Sequence, residues 1–242
     1  VELHSFSRLP TGSGLGTSSI LAGALVAVVG RLMGRDYAPT DLVHAVLQVE
    51  QMLTTGGGWQ DQVGGIVPGI KRCSSAAKLP LVVETKVLPI SAETLSLLNR
   101  HILLVYTGTP RLARGLLQDV VRRWHSAQPR IVHNVGALVR TAAEMEDALL
   151  RGDVAAVGAL LDTYWAQKKV MCDAEPAAVR RMLQRLRPHV HGATLAGAGG
   201  GGFMLVVSRE PDAADDIARA LGDEDGVSVH AAAIDQAGLV FV

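Results

Sequence analysis

Cysteine is almost missing from this 242-residue chain, which carries only Cys73 and Cys172. Two thiols without metal-ligand spacing exclude a disulfide framework and a cysteine-rich metal cluster, and make a reducing, cytoplasmic setting the expected one. Aromatic residues are scarce at 4%, so few rings are available for a stacked ligand platform. Neither sign of charge is in excess, because 23 Lys and Arg face 23 Asp and Glu. That balance argues against nucleic acid as a partner, and a phosphate ligand has to be held by local geometry. The longest apolar run, Ile20 to Val29, is about half the length a membrane span needs, so no membrane partner is expected.

What is present is an ordinary globular composition, 48% apolar and 19% charged, enough for one large domain or two modest ones. The chain opens at Val1 in strand-like alternation up to Leu9, which reads as a piece of a longer protein. A glycine-rich break at residues 10–16 is followed by a helix over 18–32 and a second over 40–53, capped by Thr40 or Asp41. Residues 56–65 read as a glycine-rich loop, with short strands at 66–70 and 81–88. A connection with a short helix at 89–99 marks the expected domain boundary, giving halves 1–90 and 91–242. The second half reads as a strand at 101–106 and helices at 113–126, 131–150, 154–170 and 176–189. It ends strand, helix, strand, strand at 202–207, 212–221, 227–233 and 239–242, and the whole is α+β.

The strongest chemical signal is Pro10-Thr11-Gly12-Ser13-Gly14-Leu15-Gly16-Thr17-Ser18-Ser19. Glycines at alternate positions let backbone N–H groups converge on an anion, and the following helix adds its unpaired donors and positive dipole end. Hydroxyls of Thr17, Ser18 and Ser19 fall in the first turn, where one can ligate a magnesium ion shared with phosphates. A P-loop needs a Lys that is absent here, and the glycine spacing does not fit a dinucleotide fingerprint. A plain capped glycine turn remains the competing reading of this loop alone. The second loop places five glycines within Gly197 to Gly202, ahead of an apolar strand. By itself it suits a packing device and a ligand contact equally well.

Between the loops stand two carboxylates, Glu50 and Asp61, of the kind phosphoryl transfer uses as metal ligand and as base. Without further context, Asp61 is a solvated turn residue and Glu50 a surface charge. Trp59 and Trp165 can stack on a sugar face or serve a core, and Arg111 and Arg114 can steady oxygens or be solvated. Lys168 and Lys169 near a helix end read as partners of its dipole. His189 and His191 lack a third ligand, so structural roles are expected.

Pro-x-x-x-Gly-Leu-Gly-Thr-Ser at 10–18 resembles the second motif of the GHMP kinases (galactokinase, homoserine kinase, mevalonate kinase, phosphomevalonate kinase). The glycine run at 197–202 resembles their third. The resemblance implies an α+β GHMP fold, with a ribosomal-protein-S5-like first half truncated at its start and a ferredoxin-like second half. It implies ATP and Mg2+ as cofactors. Pro10, Gly12, Ser13, Gly14, Leu15, Gly16, Thr17, Ser18, Ser19, Gly197, Gly199, Gly200 and Gly201 would bind the nucleotide. Ser18 and Glu50 would hold the metal, and Asp61 would be the catalytic base.

Gly56 to Gly65, Leu103 to Arg114 and Tyr164 to Lys169 resemble the L-fucose kinase branch. That implies phosphorylation of L-fucose at C1, with Gly58, Trp59, Asp61, Tyr106 and Arg111 facing the sugar. The heptose 7-phosphate kinases share the Asp-Gln step, and a non-catalytic binding member of the fold is the alternative from another class. Members of the family carry a strand and hairpin ahead of the phosphate loop. The N-terminal region of the same chain is therefore the expected neighbour, and weak or no activity is expected without it.

Overall fold

Helical periodicity dominates this chain, and glycine and proline punctuate it. In the computed structural model, the described residues are 1–53, 57–110, 113–172, 175–222 and 224–242, with the side chains of 113–115 outside the description. They form two compact units: Val1–Pro10, Leu15–Leu88 and Asp235–Val242 make the first, Thr11–Gly14 and Pro89–Ile234 the second. The chain thus changes unit inside the first glycine loop, and its last eight residues belong with the first unit rather than with the second half.

The first unit packs α1 (Thr17–Leu32), α2 (Pro39–Met52) and α3 (Gln60–Ile66) together beside a hairpin of β1 (Lys71–Ser74) and β2 (Glu84–Val87). The buried side of α1 is a row of small residues, Ser19, Gly23, Ala27 and Gly30, at helical spacing. A Cβ at Gly23 would lie 3.4 Å from Ile66 and 3.9 Å from Val46, so the row lets its neighbours in close. Leu42, Val43, Val46, Val63, Ile66 and Val83 complete this core. Burying Val46 fully contributes about 1.5–3 kcal/mol. Pro39 opens α2 at a position that needs no N–H, with Ala38 as N-cap in place of Thr40 or Asp41.

Several expectations fail in this unit. Residues 1–9 form no strand, and among the described residues none pairs with them, so their backbone groups lack the neighbour a strand requires. The tract around Asp61 is the helix α3 rather than a loop. Its Gly65 serves close approach, since a Cβ there would run into the Ile20 side chain. Strand character begins only at Lys71 and is confined to four residues in each arm, and 239–242 adds no strand.

The second unit runs α4 (Ala92–His101), β3 (Ile102–Thr107), α5 (Ala113–His125), α6 (Pro129–Arg151), α7 (Val154–Met171), α8 (Ala177–Leu186), β4 (Val190–Leu195), β5 (Phe203–Ser208), α9 (Ala214–Leu221) and β6 (Val227–Ala231). Its strands form one antiparallel sheet in the order β4-β5-β3-β6. This is the βαββαβ ferredoxin-like order, with four helices filling the first crossover. Gly152, with φ 67°, ends α6, and the Asp153 carboxylate caps α7 by accepting the Ala156 N–H at 2.9 Å. Met182, Leu186, Met204, Val206 and Ile217 are fully buried in the core.

Sequence reading passed over β4, whose Gly192 and Thr194 dilute the strand signal. Gly192 is required by α7: a Cβ on it would collide with the Gly158 carbonyl, and one on Gly158 would collide with His191. Helix and strand meet backbone to backbone there. Gly192→Ala is therefore expected to destabilise the second unit by about 1–3 kcal/mol or more, read by urea unfolding followed by circular dichroism. An unchanged midpoint would mean the two backbones are not held this close.

Candidate active site

Three glycines with left-handed φ shape the first loop: Gly12 (77°), Gly14 (82°) and Gly16 (69°). A side chain would be strained at each. Gly16 is also the N-cap of α1 and supplies no side-chain cap, and a helix N-terminus of this kind suits an anion. The hydroxyl-bearing residues divide by environment: Thr17 is half-buried, Ser18 exposed and Ser19 buried.

Within the first unit the structure brings Gly16 and Asp61 together. A Cβ at Gly16 would lie 3.1 Å from Asp61 Cβ and 3.5 Å from Oδ1. The Asp61 carboxylate, in the first turn of α3, therefore stands at the N-terminus of α1. Glu50, on the last turn of α2, is buried at 8% exposure. Its Oε1 accepts the Ser19 hydroxyl at 2.6 Å and its Oε2 accepts Gln62 Nε2 at 2.5 Å. The hydroxyl on Glu50 is thus that of Ser19, one residue beyond the Ser18 that the motif singles out. Gln62 is fully buried, and its Oε1 has no hydrogen-bond partner among the described residues. Gln62, expected with Gln60 to offer an amide group to a sugar, instead donates to Glu50.

A single hydrogen-bonded carboxylate with a nearby hydroxyl suits Mg2+, which keeps water and substrate phosphates as most of its ligands. Among the described residues no group of three or more His, Cys, Asp or Glu forms a cage for a metal. Burial lowers the His191 pKa, helped by the Arg209 and His101 charges.

Within the second unit the residues at 12–14 lie on the second glycine loop. The Phe203 N–H donates to the Ser13 carbonyl at 2.8 Å, and a Cβ at Gly14 would come within 3.1 Å of the Ala196 carbonyl. Gly202, φ 82°, runs directly under the backbone of Gly12 and Ser13, leaving no room for a side chain. The Gly202 carbonyl accepts both the Thr107 N–H at 3.0 Å and the Thr107 hydroxyl at 2.9 Å. Gly197, Gly199, Gly200 and Gly201 also take positive φ, so this loop is geometrically obliged to be glycine.

The remaining expected contacts are scattered. Pro10 and Gly58 are exposed, and Leu15 is half-buried. Trp59, the N-cap of α3, packs on the first unit's core and donates Nε1 to Ser75 Oγ at 3.3 Å. Tyr106 lies on β3 with its ring 5.1 Å from Phe203. Arg111 lies outside the described residues, as does the side chain of Arg114. Trp165, 3% exposed, is core and offers no stacking face to a sugar. Lys168 is corrected most: it is buried, and it holds backbone rather than a helix terminus.

The model for the GHMP kinases N terminal domain matches residues 1–69, and that for the GHMP kinases C terminal domain matches 145–227. The chain is 34% identical, over 91% of its length, to the bifunctional fucokinase/GDP-fucose pyrophosphorylase of Arabidopsis thaliana, of which it spans 21%. It is 33% identical, over 88% of its length, to the L-fucokinase/L-fucose-1-P guanylyltransferase of Bacteroides fragilis, of which it spans 23%. Among solved structures, a D-glycero-D-manno-heptose 1-phosphate kinase from Bacteriodes thetaiotaomicron superposes with TM-score 0.68 at 21% identity, covering 96% of this chain and 64% of that one. Both glycine loops, the ferredoxin-like sheet and the two family matches agree, and this chain belongs to the GHMP kinases.

Proposed function

We propose that the chain carries most of the machinery of an ATP-dependent sugar kinase that converts L-fucose to L-fucose 1-phosphate. The observation that carries the reading is the Asp61 carboxylate beside Gly16, where an anion-binding loop meets a helix N-terminus. N–H groups from Gly12 to Ser18 hold the ATP phosphates, and the second glycine loop supports them. Glu50 and Ser18 would hold Mg2+, which would supply positive charge to offset that of the phosphates. Asp61 accepts the proton of the sugar hydroxyl. The hydroxyl oxygen bonds to the γ-phosphorus, and the bond to the bridging oxygen breaks to release ADP.

Support for fucose is the 33–34% identity to two fucokinases, reaching across about nine-tenths of this chain. The complete protein, with the N-terminal region expected ahead of the phosphate loop, incubated with Mg2+, labelled ATP and a sugar panel, is expected to phosphorylate L-fucose in preference to D-glycero-D-manno-heptose 7-phosphate. Turnover of the heptose phosphate alone would replace the fucose reading. ATP binding without turnover of any sugar would point to a binding member of the fold.

A further inference from the structure

Lys168 sits on α7 with only 9% of its surface exposed. Its ammonium donates to two main-chain carbonyls, Leu195 at 3.1 Å and Gly197 at 2.5 Å. These are the last residue of β4 and the first left-handed glycine of the second loop, with φ 60° at Gly197. The ammonium also lies 5.3 Å from the ring centroids of both Tyr164 and Trp165.

That aromatic floor is itself fixed. Trp165 donates Nε1 to Glu175 Oε1 at 2.9 Å, and Glu175 also takes Lys169 and Arg180 at 3.0 Å each. Burial pushes the Glu175 carboxyl up, but the hydrogen bonds from Lys169, Trp165 and Arg180 outweigh it and hold the group below the usual glutamate range. It is therefore ionised at neutral pH.

Planar trans peptides carry the consequence along the chain. With the Gly197 carbonyl turned onto the ammonium, the Ala198 N–H of the same peptide points the opposite way, away from Lys168. Between the two clamped carbonyls, Ala196 donates its N–H to the Phe203 carbonyl at 2.9 Å and presents its own carbonyl to Gly14. One buried charge thus fixes the peptide planes on either side of the Ala196 carbonyl, which lies under Gly14.

We propose that Lys168 is a positioning residue for the nucleotide: its ammonium clamps the Leu195 and Gly197 carbonyls, orders the second glycine loop, and through Ala196 supports Gly14. The nucleotide part rests on the function proposed above; the clamp itself does not. Lys168→Met removes the charge and keeps most of the stem, while Lys168→Arg keeps the charge and serves as the variant expected to stay folded. Losing hydrogen bonds from a buried charged group should raise the KM and Kd for ATP about tenfold to a hundredfold in the Met variant. The KM for L-fucose should not move, and Arg should recover part of the loss.

Amide hydrogen exchange over residues 195–203, measured without ligand, should accelerate in Lys168→Met and less in Lys168→Arg. Unchanged exchange in both variants overturns the clamp. Accelerated exchange with unchanged ATP affinity overturns the nucleotide role. If the unmodified protein binds no ATP, the kinase reading and the nucleotide role fail together, while the exchange comparison still decides the clamp. Should the Met variant not fold, the Arg variant decides: wild-type exchange and wild-type ATP affinity together would refute the proposal.

Discussion

Asp61→Asn is expected to lower the rate of phosphoryl transfer by about 10²–10⁴-fold, the usual contribution of a positioned general base. Asparagine preserves the size of the side chain, so the packing of Asp61 against Gly16 survives and the loop keeps its shape. What is lost is the negative charge and with it the ability to accept a proton. ATP affinity, measured by isothermal titration, should therefore stay close to that of the unmodified protein while turnover collapses. A variant that turns over normally would remove Asp61 from the chemistry. A variant that loses ATP binding together with turnover would make the residue a part of the nucleotide site instead.

Gly16→Ala should have the second-largest effect, because two penalties coincide at one atom. The backbone there is left-handed at φ 69°, which costs an alanine about 1–2 kcal/mol. The new methyl would also stand 3.1–3.2 Å from Asp61 Cβ and Cγ, tighter than ordinary contact. Either the loop shifts or Asp61 does. A displacement near 1 Å at a reacting group is enough to cost about 10²-fold in rate. Because Gly16 is also the N-cap of α1, ATP affinity should fall as well, which separates this variant from Asp61→Asn. Retention of both rate and affinity would show that the loop has slack the structure does not suggest.

The α-helical framework was legible because its signals are local. α2, α6 and α7 show apolar periodicity over 14 to 23 residues, and their ends carry Pro, Gly or Asp in positions where those residues have a mechanism. The site was legible where glycine spacing fixes backbone shape, as at residues 12–16 and 197–202. Glycines that exist for tertiary reasons misled. Gly65 and Gly192 look like breakers in sequence, yet each sits inside regular structure because another element presses against it: the Ile20 side chain in one case, the Gly158 backbone in the other. That is why α3 and β4 escaped notice.

Pairing partners were equally invisible. Ser19 and Gln62 reach Glu50 from 31 and 12 residues away, and no local rule selects Ser19 over Ser18. Lys168 was read as a dipole partner because its targets, two carbonyl groups, leave no mark on side-chain composition. Strand-like alternation at residues 1–9 specifies which faces could be buried, but without a neighbouring strand it specifies nothing further.

A crystal structure of the protein with Mg2+ and a non-hydrolysable ATP analogue bears most directly on all of this. The triphosphate should lie against the N–H groups of Gly12 to Ser18 at the start of α1, with the γ-phosphate end toward the Asp61 carboxylate. Nucleotide bound away from that loop, or a γ-phosphate with no approach to Asp61, would contradict the assignment of both.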